Sequence, residues 1–333
     1  MRNLRSLLCL LLLILGCLAC MPGGEPEPET PEAPATPPLE WAIAIHGGAG
    51  APKDLSDSEQ LAYKLALEET LALGRGLLET GSSGVDVVEA VIRKMEDQEL
   101  FNAGRGSVFT NQGTNELDAS IMDGETKACG AVTGVTTVKN PITLARKVME
   151  NSRHVFFAGE GAEQFATLME VERVDPRYFF TQRRWDAWQR VLEKEKAAAD
   201  RGTVGCVVRD KAGNLAAGTS TGGLTNKRWG RIGDSPVVGA GTYASNDSCA
   251  VSGTGIGEQF IRNAVAYDIC ARVQYGGAPL DTAARAVIET VLNEGDGGVI
   301  ALTPDGTIAM EFNTPAMFRG AATSQGRFEV AIW

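Results

Sequence analysis

The chain has 333 residues, of which 44% are hydrophobic and 22% charged, enough for one large globular domain or two small ones. Its formal net charge of -11 argues against a nucleic acid or an anionic membrane surface as partner, because both would repel an acidic protein. We therefore expect a small-molecule or peptide partner.

Residues 1–20 are typical of an export signal. Two arginines precede an apolar run, Leu7–Leu15, that is too short for a transmembrane helix, and small residues and cysteines follow it. The end of the run resembles a bacterial lipoprotein cleavage box with Cys17 or Cys20 as the acylated residue. The alternative is an ordinary secretory signal whose cysteines are incidental.

Residues 21–39 are rich in proline and glutamate, which predicts an extended tether without a core of its own. We expect an exported protein that is periplasmic or attached to the outer membrane as a lipoprotein, or is otherwise secreted. The protein would then contact a membrane only through the lipid anchor.

The first half of the folded part carries strand and helix patterns in turn. An apolar strand enters the turn-rich segment His46–Gly50, and apolar residues then recur at helical spacing. A stretch rich in glycine and asparagine, 101–117, comes before two strand patterns and a helix that Pro141 opens. The predicted elements are strand 41–45, helices 58–79 and 84–95, strands 118–122 and 128–138, and a helix over 141–151.

The second half begins with a charged segment, 183–201, that contains three consecutive alanines and lacks strong apolar spacing. It predicts a surface helix or a loose linker. A buried strand begins at Thr203 and forms a hairpin with 215–221. The mixture of elements predicts a layered α+β fold rather than strict βαβ alternation. The remaining predicted elements are helices 258–273 and 281–292, a hairpin around 304–306 and a strand at 328–333.

Four cysteines lie outside the signal: Cys129, Cys206, Cys249 and Cys270. They are far apart in sequence and have neither metal-ligand spacing nor the pattern of a disulfide framework. We predict that all four are small buried residues.

Three motifs suggest other enzyme classes. The segment 46–48 resembles the oxyanion loop of lipases, and 218–222 matches the G-x-S-x-G nucleophile elbow. An esterase of that type needs a histidine after the serine, but both histidines, His46 and His154, precede Ser220. The pattern G-x-G-x-x-A at 239–244 would bind a dinucleotide only if a helix began there, whereas a turn follows. Both classes are excluded.

A terminal amine could supply the general base that the side chains do not. Its ordinary pKa of about 7.7 to 8.0 suits proton transfer near neutral pH, provided that the nucleophile is itself a chain terminus. Thr203 opens a strand after a dispensable segment, so a terminus could be made there. The alternative is a threonine that starts a strand because of its β-propensity.

Four segments match a known family in order and spacing: 202–205, 219–223, 230–236 and 253–255. Three more lie upstream, at 45–50, 101–104 and 116–119, so the match covers nearly everything from Trp41 onward. Together they resemble the plant-type asparaginases, also called isoaspartyl peptidases. The resemblance implies a four-layer αββα sandwich of the N-terminal nucleophile hydrolase type.

The resemblance also implies a precursor that cleaves itself between Gly202 and Thr203. The α chain would be 40–202, with a linker from about 180, and the β chain 203–333. Two αβ units would pair as an (αβ)2 assembly. The Thr203 hydroxyl would attack the Gly202 carbonyl first, and later the side-chain amide of L-asparagine or of an isoaspartyl dipeptide, through a β-aspartyl ester.

Further roles follow from the same resemblance. The Thr254 hydroxyl and the Gly255 N–H would form the oxyanion hole, and Thr221 would support the nucleophile. Arg231 would bind the substrate α-carboxylate and Asp234 its α-ammonium. Asn102 and Gly257 would belong to the same pocket. No organic cofactor is implied, but a structural sodium ion would be held by the backbone carbonyls of Met95, Glu96, Gln98, Phe101, Ala103 and Arg105.

Two alternatives remain beside this interpretation. Glycosylasparaginases share the nucleophile but usually have Asp directly before it, whereas this chain has Gly202 there and two glycines after Thr221. A non-catalytic, surface-anchored binding protein could keep the same fold. Against it, every catalytic position that can be mapped carries the expected residue type.

Overall fold

The computed structural model describes residues 38–50, 55–194 and 202–333. The predicted export signal and all but the last two residues of the predicted tether lie outside the described residues. Within the described ranges, no helix is both long and apolar enough to cross a membrane.

The described chain forms two β-sheets and a set of surrounding helices. The strands are β1 (Ala42–Ala49), β2 (Leu117–Asp123), β3 (Cys129–Val135), β4 (Phe156–Ala158), β5 (Val204–Arg209), β6 (Leu215–Thr221), β7 (Thr242–Ala244), β8 (Ala250–Gly255), β9 (Gly297–Leu302), β10 (Ile308–Phe312), β11 (Met317–Thr323) and β12 (Phe328–Ala331). The helices are α1 (Asp57–Glu79), α2 (Gly84–Glu96), α3 (Pro141–Asn151), α4 (Gly159–Leu168), α5 (Gln182–Lys194), α6 (Gly257–Asn263), α7 (Val265–Gln274) and α8 (Leu280–Ala286).

The larger sheet has the strand order β12-β11-β1-β5-β6-β2-β3-β4, and the smaller one β10-β9-β8-β7. All pairings are antiparallel except that of β3 with β4. The predicted hairpin is confirmed, because β5 pairs with β6 from Val204 opposite Ser220 to Arg209 opposite Leu215. This register brings the residue before β5 close to the last residue of β6.

Three apolar cores separate four layers. Along β1, Ile43 and Ile45 point into a core shared with α1, α2 and α3, while Ala42 and Ala44 point into a core between the sheets. Among the described residues, alanines make up about half of the buried apolar residues in the core between the sheets. A third core lies between the smaller sheet and α7 and α8. The predicted αββα sandwich is confirmed.

Local sequence signals account for the early helices. Ser56 and Glu59 form a capping box at the start of α1, and Ser83 caps α2. Pro141 occupies the first position of α3, where its missing N–H costs nothing. The three helices begin and end within two residues of their predicted bounds.

The single helix predicted over 258–273 is wrong, because the chain breaks at Ala264 into α6 and α7. Ala264 has φ 46°, a left-handed conformation that ends α6. The N–H groups of Ala266 and Tyr267 then donate to the carbonyls of Ala240 and Gly239, at 3.0 and 2.9 Å. The start of α7 is thus held by the loop before β7 and takes a new direction.

The prediction that all four cysteines are small buried residues outside any disulfide framework is also wrong. Cys249 and Cys270 form a disulfide, with Cα atoms 5.4 Å apart, that joins the residue before β8 to α7. Cys206 is a buried free thiol, and Cys129 is only partly buried.

The loose-linker alternative for 183–201 is wrong as far as Lys194, because residues 182–194 form α5. Its Trp185 and Trp188 pack with Phe109 and Phe180 in an aromatic cluster. Arg184 is buried and donates to the Gly106 carbonyl at 2.7 Å. Residues 195–201 lie outside the described residues.

Candidate active site

Thr203 lies immediately before β5, buried beside the end of β6. Since Val204 is opposite Ser220 in the hairpin, Thr203 comes opposite Thr221. The Thr203 hydroxyl donates to the Thr221 hydroxyl at 3.2 Å, and the Gly223 N–H also donates to that hydroxyl, at 3.0 Å. The hairpin therefore sets the contact between the predicted nucleophile and its predicted support.

The carbonyl oxygen of Gly202 accepts two side-chain hydrogen bonds. Asn102 Nδ2 donates to it at 2.8 Å and the Thr221 hydroxyl at 3.2 Å. Gly202 has φ 154°, which side-chain-bearing residues rarely adopt, so a glycine is required before Thr203. The carbonyl that self-cleavage would attack thus already has two donors on its oxygen.

Thr254 and Gly255 end β8, the strand of the smaller sheet that reaches the site. The Thr254 hydroxyl is fully buried and accepts a hydrogen bond from the Ala49 N–H at 3.1 Å. A hydroxyl that accepts one bond can still donate its proton to a substrate oxygen. Gly255 lines the same small cavity as Thr203.

Arg231 and Asp234 line that cavity as well, together with Gly202, Thr203 and Thr221. Burial raises the pKa of Asp234 to about 7, although the nearby Arg231 opposes the rise. Asp234 Oδ2 has no hydrogen-bond donor among the described residues. A buried carboxylate oxygen in this state is an unused hydrogen-bond acceptor.

Glu258 is a site residue that the sequence patterns did not indicate. Arg231 donates to it through Nε and Nη2, both at 2.8 Å, in a two-point ion pair. Gly257 does not line the cavity. A Cβ atom on Gly257 would lie 2.8 Å from Arg231 Nη2. Its contribution is to leave space for the guanidinium. Acidic residues are common in the first turn of a helix, so the sequence pattern around Glu258 did not mark it as a site residue.

The predicted sodium loop has two of its six carbonyl oxygens close together. An ideal Cβ on Gly106 would lie 2.0 Å from the Phe101 oxygen and 2.9 Å from that of Gln98. The oxygens of Met95 and Ala103 each accept a backbone N–H, at 3.2 and 3.1 Å. Carbonyl oxygens are among the ligands that a hard cation prefers. The remaining predicted ligands, Glu96 and Arg105, lie in the same segment.

A threonine at the head of a central strand, enclosed between two sheets with helices outside, defines the class of N-terminal nucleophile hydrolases. Comparisons with known proteins give the family. The chain matches the model of the asparaginase family over residues 39–332.

Curated relatives match along nearly the whole of their own length. The probable isoaspartyl peptidase/L-asparaginase 2 of Arabidopsis thaliana is 47% identical over 322 residues, 88% of this chain and 99% of the relative. The isoaspartyl peptidase of Escherichia coli is 49% identical over 292 residues, 83% of this chain and 91% of the relative. The human isoaspartyl peptidase/L-asparaginase is 37% identical over 301 residues, 87% of this chain and 95% of the relative. The chain belongs to the asparaginase family.

Proposed function

We propose that this protein cleaves itself between Gly202 and Thr203 and then hydrolyses L-asparagine and isoaspartyl dipeptides with Thr203 as the nucleophile. The observation that carries the proposal is the pair of donors, Asn102 and Thr221, on the carbonyl oxygen next to a buried threonine. The names of the relatives support the choice of substrates.

In the precursor, the Thr203 hydroxyl attacks the Gly202 carbonyl carbon. Asn102 and Thr221 stabilise the negative charge that develops on the carbonyl oxygen, since their donors are already in place. The peptide C–N bond breaks and the Gly202 acyl group moves to the Thr203 oxygen. The proton of the Thr203 hydroxyl passes to the nitrogen, which becomes a free amine, and water then hydrolyses the ester.

In the mature enzyme, the new Thr203 amine takes the proton of its own hydroxyl. The oxygen attacks the side-chain amide of the substrate while the Thr254 hydroxyl and the Gly255 N–H receive the oxyanion. Ammonia or an amino acid leaves with the proton from the amine. Water then cleaves the β-aspartyl ester, and aspartate is released.

Substrate recognition rests on two charges in the cavity. Arg231 uses Nε and Nη2 for Glu258, so its Nη1 edge is left for the substrate α-carboxylate. Asp234 Oδ2, which has no donor among the described residues, would accept from the α-ammonium. The two groups together select the α-amino acid end that asparagine and isoaspartyl peptides share.

The test compares the protein without residues 1–20 with its Thr203→Ala variant, by intact mass and N-terminal sequencing. We expect two fragments in the wild type, one of which begins at Thr203, and a single chain in the variant. Purified wild type should release ammonia and aspartate from asparagine. A wild type that stays whole after long incubation would overturn self-activation and favour a binding protein.

We also propose that sodium stabilises the loop around Gly106 through the carbonyls of Met95, Glu96, Gln98, Phe101, Ala103 and Arg105. The ion would fix the loop that carries Asn102 and take no part in bond breaking. Thermal unfolding in sodium chloride should then occur at a higher temperature than in choline chloride at equal ionic strength. Equal unfolding temperatures would reject the ion site.

Two properties that follow from the family resemblance and from residues 1–39 complete the proposal. The mature protein would be an (αβ)2 assembly, which light scattering of the cleaved protein measures directly. It would be exported, with Cys17 or Cys20 acylated or the whole signal removed. Mass spectrometry of the N-terminal peptide from the membrane and soluble fractions distinguishes the two cases.

A further inference from the structure

A chain of buried polar side chains crosses the interface between the two sheets, beginning at the nucleophile. His46 Nδ1 lies 2.8 Å from the Thr203 carbonyl oxygen, and His46 Nε2 lies 2.9 Å from the Ser252 hydroxyl. The chain continues from Ser252 to Thr219 at 2.7 Å, to Thr242 at 2.5 Å and to Ser120 at 2.8 Å. All five side chains are fully buried. We call them the polar seam.

Along the polar seam, the protons of His46, Ser252, Thr219 and Thr242 each have a fixed direction. A carbonyl oxygen can only accept, so His46 Nδ1 carries a proton and donates it to Thr203. Burial lowers the pKa of His46 to about 3, so the ring is neutral and Nε2 must accept from Ser252. The single Ser252 proton is thereby used, and Thr219 has to donate to Ser252 across the 2.7 Å contact.

The same reasoning continues along the seam. Thr219 Oγ1 also lies 3.1 Å from the Gly241 carbonyl oxygen. If Thr219 donated its proton there, the hydroxyl oxygens of Thr219 and Ser252 would lie 2.7 Å apart without a proton between them. Thr242 therefore donates to Thr219. The result is one ordered set of donors that ends at the carbonyl of Thr203.

Gly205 keeps space open for the contact between His46 and Ser252. It lies opposite His46 in the pairing of β1 with β5. A Cβ on Gly205 would lie 2.0 Å from the Ser252 oxygen and 2.1 Å from His46 Nε2. Any side chain at this position would displace the hydrogen bond, so the glycine two residues after Thr203 is explained by the seam.

We infer that His46 is a positioning residue that holds the backbone of the Thr203 nucleophile in the mature enzyme, through a hydrogen bond from Nδ1 to its carbonyl oxygen. The inference rests on the proposed function. Before cleavage, Thr203 is held by covalent bonds on both sides. Afterwards the bond to Gly202 is lost, and the hydrogen bond to His46 remains to set the direction of the amine and the hydroxyl.

Two amide variants separate this role from a merely structural one. In His46→Asn, the amide nitrogen can take the place of Nδ1 and donate to Thr203. In His46→Gln, the amide reaches the place of Nε2 and contacts Ser252 only. Each variant loses one of the two buried hydrogen bonds of the ring, so a structural role predicts similar losses for both.

We expect His46→Gln to lower kcat for asparagine by about a hundredfold, because small misplacements of reacting groups cost about that much. KM should stay within about twofold, since Arg231 and Asp234 are not touched. His46→Asn should keep most of kcat. Rates are expressed per cleaved chain, which removes any effect on self-cleavage. Equal kcat values in the two variants, or a worse Asn variant, would overturn the inference.

Nitrogen-15 NMR of the wild-type mature protein tests the same assignment without a substitution at His46. The spectrum should show a neutral His46 ring protonated at Nδ1, and His154→Asn assigns the signals because the chain has two histidines. A ring protonated at Nε2, or at both nitrogens near neutral pH, would overturn the inference. If the wild type hydrolyses neither substrate, the proposed function fails, while the spectrum still decides on His46.

Discussion

Asn102 joins three parts of the site through one side chain. Its Nδ2 donates to the carbonyls of Gly202 and Gly223, at 2.8 and 2.7 Å, and its Oδ1 accepts from the Val108 N–H at 3.0 Å. It thus fixes the attacked carbonyl relative to the segment after β6. Because it is a donor on the carbonyl oxygen, it should accelerate self-cleavage as well as hold the loop.

We expect Asn102→Ala to slow self-cleavage by about a hundredfold, the usual effect of losing one oxyanion donor. Asn115→Ala is the matched control. Asn115 is buried and its Nδ2 bonds the carbonyls of Ser107 and Val108, but it does not touch Gly202. The measurement is the half-time of fragment formation on denaturing gels. Similar half-times in the two variants would assign Asn102 to loop stability alone.

Asp234 should make substrate binding depend on pH. Burial raises its pKa to about 7, so the carboxyl is mostly neutral below that pH and charged above it. Only the carboxylate pairs with an ammonium group, and KM for asparagine should therefore rise as the pH falls below about 7. Asp234→Asn has no charge at any pH, so its KM should be high and flat over the same range. A flat KM in the wild type would contradict the assigned role.

At the scale of elements, the parts of the site that a hairpin brings together could be predicted, and those that tertiary contacts bring together could not. The pairing of Thr203 with Thr221 follows from two strands and a tight turn, which have local sequence signals. Glu258 approaches Arg231 only through folding, and the break at Ala264 depends on the carbonyls of Gly239 and Ala240. No periodicity in the sequence reports such contacts.

Glu96 connects three elements beneath the site. At the end of α2, its Oε1 accepts from Ser220 of β6 at 2.7 Å and from the Ile142 N–H in α3 at 3.1 Å. Burial raises its pKa to about 8. Its ordinary value is near 4.5 in the unfolded chain, so the folded state binds more protons between these values. This contribution to stability is complete at low pH and is lost as the pH rises towards about 8.

Glu96→Gln should remove that pH dependence, because the amide keeps an acceptor oxygen but does not titrate. We expect the wild type to lose stability relative to the variant by at most about 1.4 kcal/mol per pH unit between about pH 5 and pH 8. Chemical unfolding of both proteins across this range gives the difference directly, since other groups titrate alike in both. A constant difference would show that Glu96 is already charged in the folded state.

At the scale of the whole molecule, the site lies where the two sheets meet. The larger sheet contributes Thr203 and Thr221, and the smaller sheet contributes Thr254 and Gly255. The layered arrangement was implied by the family resemblance and is confirmed. Periodicity alone predicted only a layered mixture of helices and strands, because the short elements α4, β4, β7 and β8 lack a clear pattern.

The disulfide ties the smaller sheet to its covering helices. Cys249 directly precedes β8 and Cys270 lies in α7, so the enclosed segment contains both Thr254 and Gly255. Disulfides persist in oxidising compartments, which supports the proposal of export. Cross-linking a loop of this length should stabilise the fold by about 3 kcal/mol.

The expected result of Cys249→Ala/Cys270→Ala is therefore a loss of about 3 kcal/mol in the free energy of unfolding. Reductant should lower the Tm of the wild type towards that of the double variant and leave the double variant unchanged. Cys206→Ala removes a buried free thiol and should keep the response to reductant. Two free thiols at positions 249 and 270 in protein purified from an oxidising compartment would contradict the bond. In that case β8 would be held by its pairing with β7 and β9 and by packing against α7, without a covalent link to that helix.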